Sequence, residues 1–235
     1  MILKKIDLNT LLKPFGYLIA IPAVILIRLI SPFFLIRWYC TLSTRIGHYA
    51  ENIQMYIAMK EQKKLFHSKK KFFDIFYDRK HICNKQLKKM WLRNKNLFFL
   101  PYWIMDPINN VNEHLLDKIF DSKSIHYIGY YYDPKKILDY LVIPLDCVDT
   151  FNCVDNADFC ISFTDKEIEY GNKQLEKMGI NEKDKYVVLV LRGSDYLKTE
   201  YPNIDWKRHD HRNTNIDYYN ETIKFLDDPF IVLNP

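Results

Sequence analysis

The sequence lacks the short motifs that mark the commonest nucleotide, hydrolase and metal sites. It contains no GxGxxG dinucleotide fingerprint, no Walker A phosphate loop, no GxSxG nucleophile elbow and no HExxH zinc motif. Its five cysteines include no CxxC pair, and their number is odd. These absences argue against a disulfide framework and a zinc knuckle, and they favour a reducing compartment.

A disordered chain is excluded by composition. Hydrophobic residues make up 48% of the 235 residues, which is enough to form a substantial core. Internal repeats and low-complexity tracts are also lacking. A chain of this length can form one large domain or two small ones.

Positive charge is concentrated in one part of the chain. The net charge is +5, but residues 60–95 alone contain 13 Lys or Arg against three Asp or Glu. This stretch fits a solvated helix surface, a contact with an anionic membrane, or a nucleic-acid patch. Because no nucleic-acid-binding motif accompanies it, nucleic acid is the least favoured partner.

A long apolar segment runs from Pro14 to Ile36 with Arg28 as its only charge. It is long enough to span a membrane, but Pro22 and Pro32 interrupt it. Basic residues lie on both sides, so both ends favour the cytoplasm under the positive-inside rule. A cleaved signal peptide is disfavoured because no small-x-small site follows.

We therefore expect residues 1–32 to form a membrane-associated helical segment. It would either span the membrane or dip into one leaflet with a kink near Pro22. The alternative is a buried core helix at the edge of the domain.

Apolar runs alternate with helical patterns through the first two thirds of the chain. The runs predict strands at 33–40, 70–78 and 125–132, and the patterns between them predict helices at 49–65, 84–94 and 109–120. This alternation is typical of βαβ units and a parallel sheet. We predict an N-terminal Rossmann-like domain at residues 33–181.

The sheet pattern begins again further along the chain. Thr164 and Glu167 form a capping box, and Gly179 marks the end of the helix that follows. After a polar linker, strands are predicted at 186–192 and 230–233 with a helix at 215–226 between them. Because about 50 residues are too few for a doubly wound domain, we expect 182–235 to be an incomplete second Rossmann-like domain.

The segment "TRIGHYAEN" follows the first predicted strand directly. Ligands in open α/β sheets bind at the carboxyl ends of strands. Gly47 would allow a sharp turn or a close backbone approach, and His48 has a pKa suited to a general base. The alternative is that Gly47 only closes a turn and His48 only caps or packs.

Two further segments contain candidate ligands. Arg192 and Asp195 follow a predicted strand and could hold a diphosphate, or they could only stiffen a loop. The run His209-Asp210-His211 suggests a metal, but two His and one Asp need further ligands. A polar loop lining a cleft is the preferred interpretation, and no metal is predicted.

Five segments resemble, in the same order, a family of bacterial glycosyltransferases from surface-polysaccharide gene clusters. They are "TRIGHYAENIQMY", "ICNKQLKKMW", "FTDKEIEYG", "LRGSDYL" and "WKRHDHRNTNIDYY". The family patterns read roughly SRIGHLA, CNxxLxxMW, FTxEE, RxSxYL and YHDYRNSDI. The likeness covers most of residues 33–220, with departures at Tyr49, where leucine is usual, and at Lys166, where an acidic residue is usual.

The resemblance implies a GT-B-like fold of two Rossmann-like domains, the second of which would bind a nucleotide sugar. It implies that His48 is the catalytic base and that Arg192 holds the donor diphosphate, so that no metal or other cofactor is needed. It also implies that a wider set of residues binds substrate: Arg45, Gly47, Asn52, Arg192, Asp195, His209, Asp210 and Arg212.

The resemblance further implies a nucleotide-sugar donor, a glycan or lipid-linked acceptor, and a location at the cytoplasmic face of a bacterial inner membrane. One alternative is a non-catalytic remnant of a transferase that binds a membrane or a partner through the basic stretch at 60–95. Another is a metal-dependent phosphate-ester hydrolase using His209, Asp210 and His211.

Overall fold

The computed structural model describes most of the chain in two compact units, Met1–Ser162 and Phe163–Pro235, which are considered separately. The described residues are 8–62, 71–116, 126–131, 142–144, 149, 152–158, 160–181, 183–184, 186–190, 193, 195–200, 203, 205–225 and 231–233.

The first unit has the predicted α/β class. Its helices are α1 (Leu8–Ile30), α2 (Ile46–Glu61), α3 (Lys85–Arg93) and α4 (Tyr102–Val111), and α4 continues into a π-helical turn, Asn112–Leu116. Its strands are β1 (Phe34–Thr41), β2 (Lys71–Asp78), β3 (Phe98–Phe99), β4 (Gly129–Tyr131) and β5 (Val142–Pro144).

A parallel three-stranded sheet in the order β1-β2-β3 forms the centre of the first unit. The strands predicted at 33–40 and 70–78 are confirmed, and they pair in register from Phe34–Lys71 to Thr41–Asp78. A parallel bridge joins Trp38 to Tyr127 on the other side of β1. Of the strand predicted at 125–132, residues 126–131 are described, and they contain this bridge and β4, which pairs with β5.

Helices cover both faces of this sheet. Successive side chains of a strand point to opposite faces, so each strand contributes apolar residues to both. Trp38 and Tyr77 pack against α1 and α4 in one apolar cluster. Tyr39 and Phe76 pack against α2 and α3 in the other. The result is a three-layer α/β/α arrangement, as expected for βαβ units.

Helix α1 docks along α4 through its small residues. Gly16, Ala20 and Val24 are spaced one turn apart and are all buried. A Cβ atom on Gly16 would lie 2.1 Å from the Trp103 carbonyl oxygen. Pro107 lacks the N–H that would bond this carbonyl within α4, and glycine lets α1 approach it closely.

The structure corrects two of the helix predictions. Helix α1 runs through Pro14 and Pro22, so the predicted interruption at Pro22 is wrong, although Leu11–Ile30 does have the length and apolarity of a membrane span. Signal sequences and core helices share that property. The helix predicted at 109–120 begins earlier, at Tyr102, because Pro101 is its N-cap and Pro107 is tolerated inside it.

The second unit begins with the predicted capping box. The Thr164 hydroxyl accepts from the Glu167 N–H at 3.3 Å, and the Glu167 carboxylate accepts from the Thr164 N–H at 2.9 Å. Helix α5 (Asp165–Lys177) follows, and Gly179 ends it with φ +84°. The units divide after Ser162, so α5 belongs to the second one, whereas the sequence predicts a boundary after residue 181.

The described residues in the rest of the second unit include a parallel strand pair, β6 (Val188–Val190) with β7 (Ile231–Leu233). The chain between these strands forms α6 (Asp195–Glu200), two 3-10 segments, Lys207–Arg212 and Ile216–Tyr219, and α7 (Asn220–Phe225). The helix predicted at 215–226 is therefore divided into a 3-10 turn and a short α-helix.

The packing of Gly16 generates a stability prediction. We expect Gly16→Ala to lower the free energy of unfolding by about 1–3 kcal/mol, because the added methyl group overpacks the α1–α4 contact. Gly47 in α2 is the matched control, since its Cβ would meet no atom within 4 Å. Gly47→Ala should be neutral or slightly stabilising in the same urea titration. Equal effects of the two substitutions would contradict this packing.

Candidate functional site

The loops at the carboxyl edge of the sheet form one ordered rim. The Ser43 hydroxyl donates to the His81 carbonyl at 2.8 Å and accepts from the Arg79 N–H at 3.0 Å. The Ser43 carbonyl accepts from the Cys83 N–H at 2.8 Å. Ser43 therefore ties the loop after β1 to the loop after β2.

His48 lies in the first turn of α2, directly above this edge. It is half-buried, and the helix begins two residues earlier at Ile46. Arg45 is the N-cap residue, with extended backbone and no capping hydrogen bond from its side chain. The position predicted for His48, where β1 leads into a helix, is therefore observed, and its catalytic role stays a prediction.

Gly47 does not make the predicted turn. It is an exposed residue of the first helical turn, and among the described residues only Gly179 is a glycine with positive φ. The chain turns earlier, where the Arg45 N–H donates to the Leu42 carbonyl at 3.0 Å. Gly47 has no side chain and borders open space, so a ligand could approach its backbone closely.

Asn52 lies one turn after His48, on the inner side of α2. It is 1% exposed, whereas Gly47 lies on the surface and His48 is half-buried. This burial argues against a direct contact between Asn52 and a substrate. Its substrate-binding role stays a prediction.

A buried polar cluster, absent from the sequence prediction, lies between the sheet and α2. The Arg37 Nε and Nη2 atoms donate to the two carboxylate oxygens of Asp74, each at 2.6 Å. The Tyr56 hydroxyl donates to the same carboxylate, and the Phe72 ring lies 3.9 Å from the guanidinium carbon. These contacts join β1, β2 and α2.

A second buried group lies nearer the carboxyl edge. The Asp78 carboxylate accepts from the Thr41 hydroxyl at 2.7 Å and pairs with the Lys88 ammonium at 2.5 Å. Burial lowers the pKa of Lys88, and the charge of Asp78 acts in the opposite direction. Burial also raises the pKa of Tyr49 well above its usual range, and the Asp78 charge adds to that effect.

The sequence does contain a signal for these buried charges. Arg37 interrupts the apolar run "FFLIRWYC", and Asp74 and Asp78 interrupt "KFFDIFYD". A charge inside a strand that is covered on both faces needs a partner. The pattern therefore indicates buried pairs, but only the register of β1 against β2 shows which residues meet.

The candidates in the second unit are described only in part. Asp195 begins α6 and is exposed, and Asp210 is exposed within the 3-10 segment and accepts from the Asn213 amide at 3.1 Å. His209 and Arg212 belong to the same segment, but their side chains lie outside the described residues, as does the whole of Arg192. Among the described residues, no three His, Cys, Asp or Glu side chains are grouped to hold a metal ion.

Comparison with known proteins gives no match to a protein-family model, a curated protein or a solved structure. The structure by itself defines an α/β unit with an ordered rim at the carboxyl edge of a parallel sheet. That edge is where open α/β sheets bind their ligands.

The buried tyrosines generate a prediction about alkaline pH. Burial raises the pKa of Tyr49, Tyr56 and Tyr77 above the usual value of 10.0. Above pH 10 the unfolded chain loses these protons and the folded chain keeps them, so stability falls as pH rises. Each tyrosine should contribute about 1.4 kcal/mol per pH unit in that range.

Urea unfolding from pH 10.5 to 11.5 measures this slope, and comparison with Tyr49→Phe cancels the contribution of Lys88, whose lowered pKa acts in the opposite direction. Tyr49→Phe should make the fall of unfolding free energy with pH less steep by about 1.4 kcal/mol per pH unit. Its hydroxyl meets no hydrogen-bond partner of ordinary geometry among the described residues, although the nearby Asp78 carboxylate adds to the rise in its pKa. An unchanged slope would show that Tyr49 ionises normally in the folded chain.

Proposed function

We propose that this chain is a glycosyltransferase, or a portion of one. It would transfer a sugar from a nucleotide sugar to a cell-surface glycan or lipid-linked acceptor at the cytoplasmic face of a bacterial inner membrane. The observation that carries the proposal is the place of His48, half-buried in the first turn of α2 at the carboxyl edge of β1. A GT-B-like arrangement, with the first unit on the acceptor side, is part of this proposal.

The proposed reaction is a displacement at the anomeric carbon. The His48 imidazole takes the proton of an acceptor hydroxyl as its oxygen bonds to the anomeric carbon. The bond from that carbon to the nucleoside diphosphate breaks at the same time. The Arg192 guanidinium stabilises the charge on the departing diphosphate, and the scheme requires no metal or other cofactor.

The surroundings of His48 support a fixed position for its backbone. Two turns further along α2, Tyr56 is bonded to Asp74 in the sheet, and Tyr49 beside His48 is fully buried. On the loop side, Ser43 ties the chain before α2 to the neighbouring loop. A catalytic base held on a supported element reaches its substrate proton with little reorganisation.

The surface of α3 favours a second candidate, a non-catalytic binding module. This helix buries Leu87 and Trp91 and exposes Lys85 and Lys89, so the basic stretch presents cations to solvent.

Isothermal titration with nucleotide sugars separates the two candidates. A transferase should give a heat of binding, and a remnant that only contacts a membrane or a partner should give none. For the metal-dependent hydrolase, no observation among the described residues speaks in its favour.

The roles of His48 and Arg192 can be separated by mutation in the full-length protein. His48→Ala should lower turnover by about 10²–10⁴-fold and leave donor binding intact, because a general base is lost. Arg192→Ala should weaken nucleoside diphosphate binding as well, and Arg192→Lys should restore it only in part.

The matched control is His114→Ala, which removes an exposed histidine from the π-helical turn after α4. Turnover is measured as sugar release from the donor, and donor affinity by calorimetry. If His48→Ala turns over as fast as His114→Ala, the first turn of α2 is structural and the proposal fails.

A further inference from the structure

Helix α1 is apolar on all sides, although only one side is covered. Gly16, Ala20 and Val24 are buried against the domain. The opposite side, called here the apolar face of α1, consists of residues that are 59–76% exposed: Leu11, Phe15, Leu18, Leu26 and Leu29. Helices that are apolar all round belong in a protein core or in a membrane.

The polar groups of α1 are bonded on the side of α4. The Lys13 ammonium pairs with Asp106 at 2.7 Å, and the Arg28 guanidinium donates to the Asn112 side-chain oxygen at 2.8 and 3.1 Å. Lys13 and Arg28 are the only charged residues from Leu11 to Ile30. The apolar face therefore presents no charge over its whole length.

These contacts determine how α1 can meet a bilayer. Lys13 and Arg28 are about 22 Å apart along a helix that rises 1.5 Å per residue, so α1 is attached to the domain over most of its length. If α1 crossed the membrane in this state, α4 would have to enter the hydrocarbon with Asp106 and Asn110. Burying these polar side chains in the hydrocarbon of a bilayer costs free energy. The docked helix can instead lie parallel to the membrane surface.

A group of exposed aromatic residues continues this surface at the amino edge of the sheet. Phe33, Phe34, Phe73 and Phe98 are between 37% and 84% exposed and form what is called here the aromatic patch. Strand alternation places Phe34, Phe73 and Phe98 on the sheet face that α1 and α4 cover. The turn from α1 into β1 is short, and in it the Phe33 N–H donates to the Ile30 carbonyl at 3.0 Å.

The charges beside the aromatic patch are positive. Lys71 pairs in register with Phe34, Lys95 precedes Phe98 by three residues, and both lysines are exposed. The described segments 31–34, 71–73 and 94–98 contain no acidic residue. Aromatic rings beside lysines suit the headgroup region of an anionic membrane.

We propose that the apolar face of α1 and the aromatic patch bind the surface of an anionic lipid bilayer. Helix α1 lies in the membrane plane, with Leu11, Leu18 and Leu29 at the boundary of one leaflet's acyl chains and Lys71 and Lys95 at the phosphates. The inference does not depend on the transferase assignment, because membrane binding is measured without donor or acceptor.

Vesicle flotation of the full chain tests the surface. The chain should float with phosphatidylcholine vesicles that contain phosphatidylglycerol, and less with phosphatidylcholine alone. Leu18→Glu and Leu29→Glu should each weaken partitioning by about tenfold or more, because each removes a large apolar side chain that enters the bilayer on binding. Ile46→Glu is the matched control, since Ile46 is exposed at the start of α2, on the other face of the sheet from α1. Circular dichroism confirms that each variant is folded.

Nitroxide labels at positions 11, 18 and 29 measure the orientation. The water-exposed reference is position 51 on α2, which covers the other face of the sheet. An in-plane helix predicts the same depth at all three positions. A spanning helix would place positions 11 and 29 about 27 Å apart across the bilayer, with position 18 deep between them. Unequal depths, failure to float, or spin–spin coupling between two copies in the absence of vesicles would each overturn the proposal.

Discussion

One buried ion pair connects the elements on which the rest of the first unit depends. Arg37 on β1 and Asp74 on β2 are 8% and 2% exposed and form two parallel hydrogen bonds. Taking two charges out of water is costly unless their bonding capacity is used. Here the Tyr56 hydroxyl donates a further hydrogen bond to the Asp74 carboxylate, and the Phe72 ring covers the Arg37 guanidinium. These contacts offset the cost of removing the two charges from water.

The pair also determines the register of the sheet. A slip of one residue would turn Arg37 toward the apolar cluster under α1 and α4 and leave both charges buried without partners. With the register fixed, Thr41 and Asp78 end side by side and share a hydrogen bond. The loops that follow are then close enough for Ser43 to join them, and the first turn of α2 lies over the edge they form. The position of His48 is thus a consequence of the Arg37–Asp74 contact, which lies four residues before Thr41 on β1 and four residues before Asp78 on β2.

The parts of the fold that local chemistry determines were predictable from sequence. Strands β1 and β2 are largely apolar runs, and α5 has a capping box whose two hydrogen bonds are both present. The place of His48 after β1 was predictable for the same reason. The start of α4 was not, because Pro101 and Pro107 argue locally against a helix there, and the close contact of α4 with Gly16 is distant in sequence.

The remaining differences between the sequence predictions and the structure also arise from contacts between residues distant in sequence. Nothing local distinguishes a glycine in a helical turn from one that makes a loop turn, so Gly47 was assigned the turn that Leu42 and Arg45 form. The burial of Asn52 depends on which face of α2 meets the sheet. The partnership of Arg37 with Asp74 depends on register, which follows from the two strands together and from neither alone.

A double-mutant cycle on Arg37 and Asp74 tests the central claim most directly. The cycle uses Arg37→Met and Asp74→Leu in a Tyr56→Phe background, so that no hydroxyl is left without its acceptor. Each single substitution should cost about 3–5 kcal/mol of unfolding free energy, because it leaves one buried charge alone, and the double variant should lose far less than the sum. Additivity of the two losses to within about 0.5 kcal/mol would show that the pair does not hold β1 and β2 together.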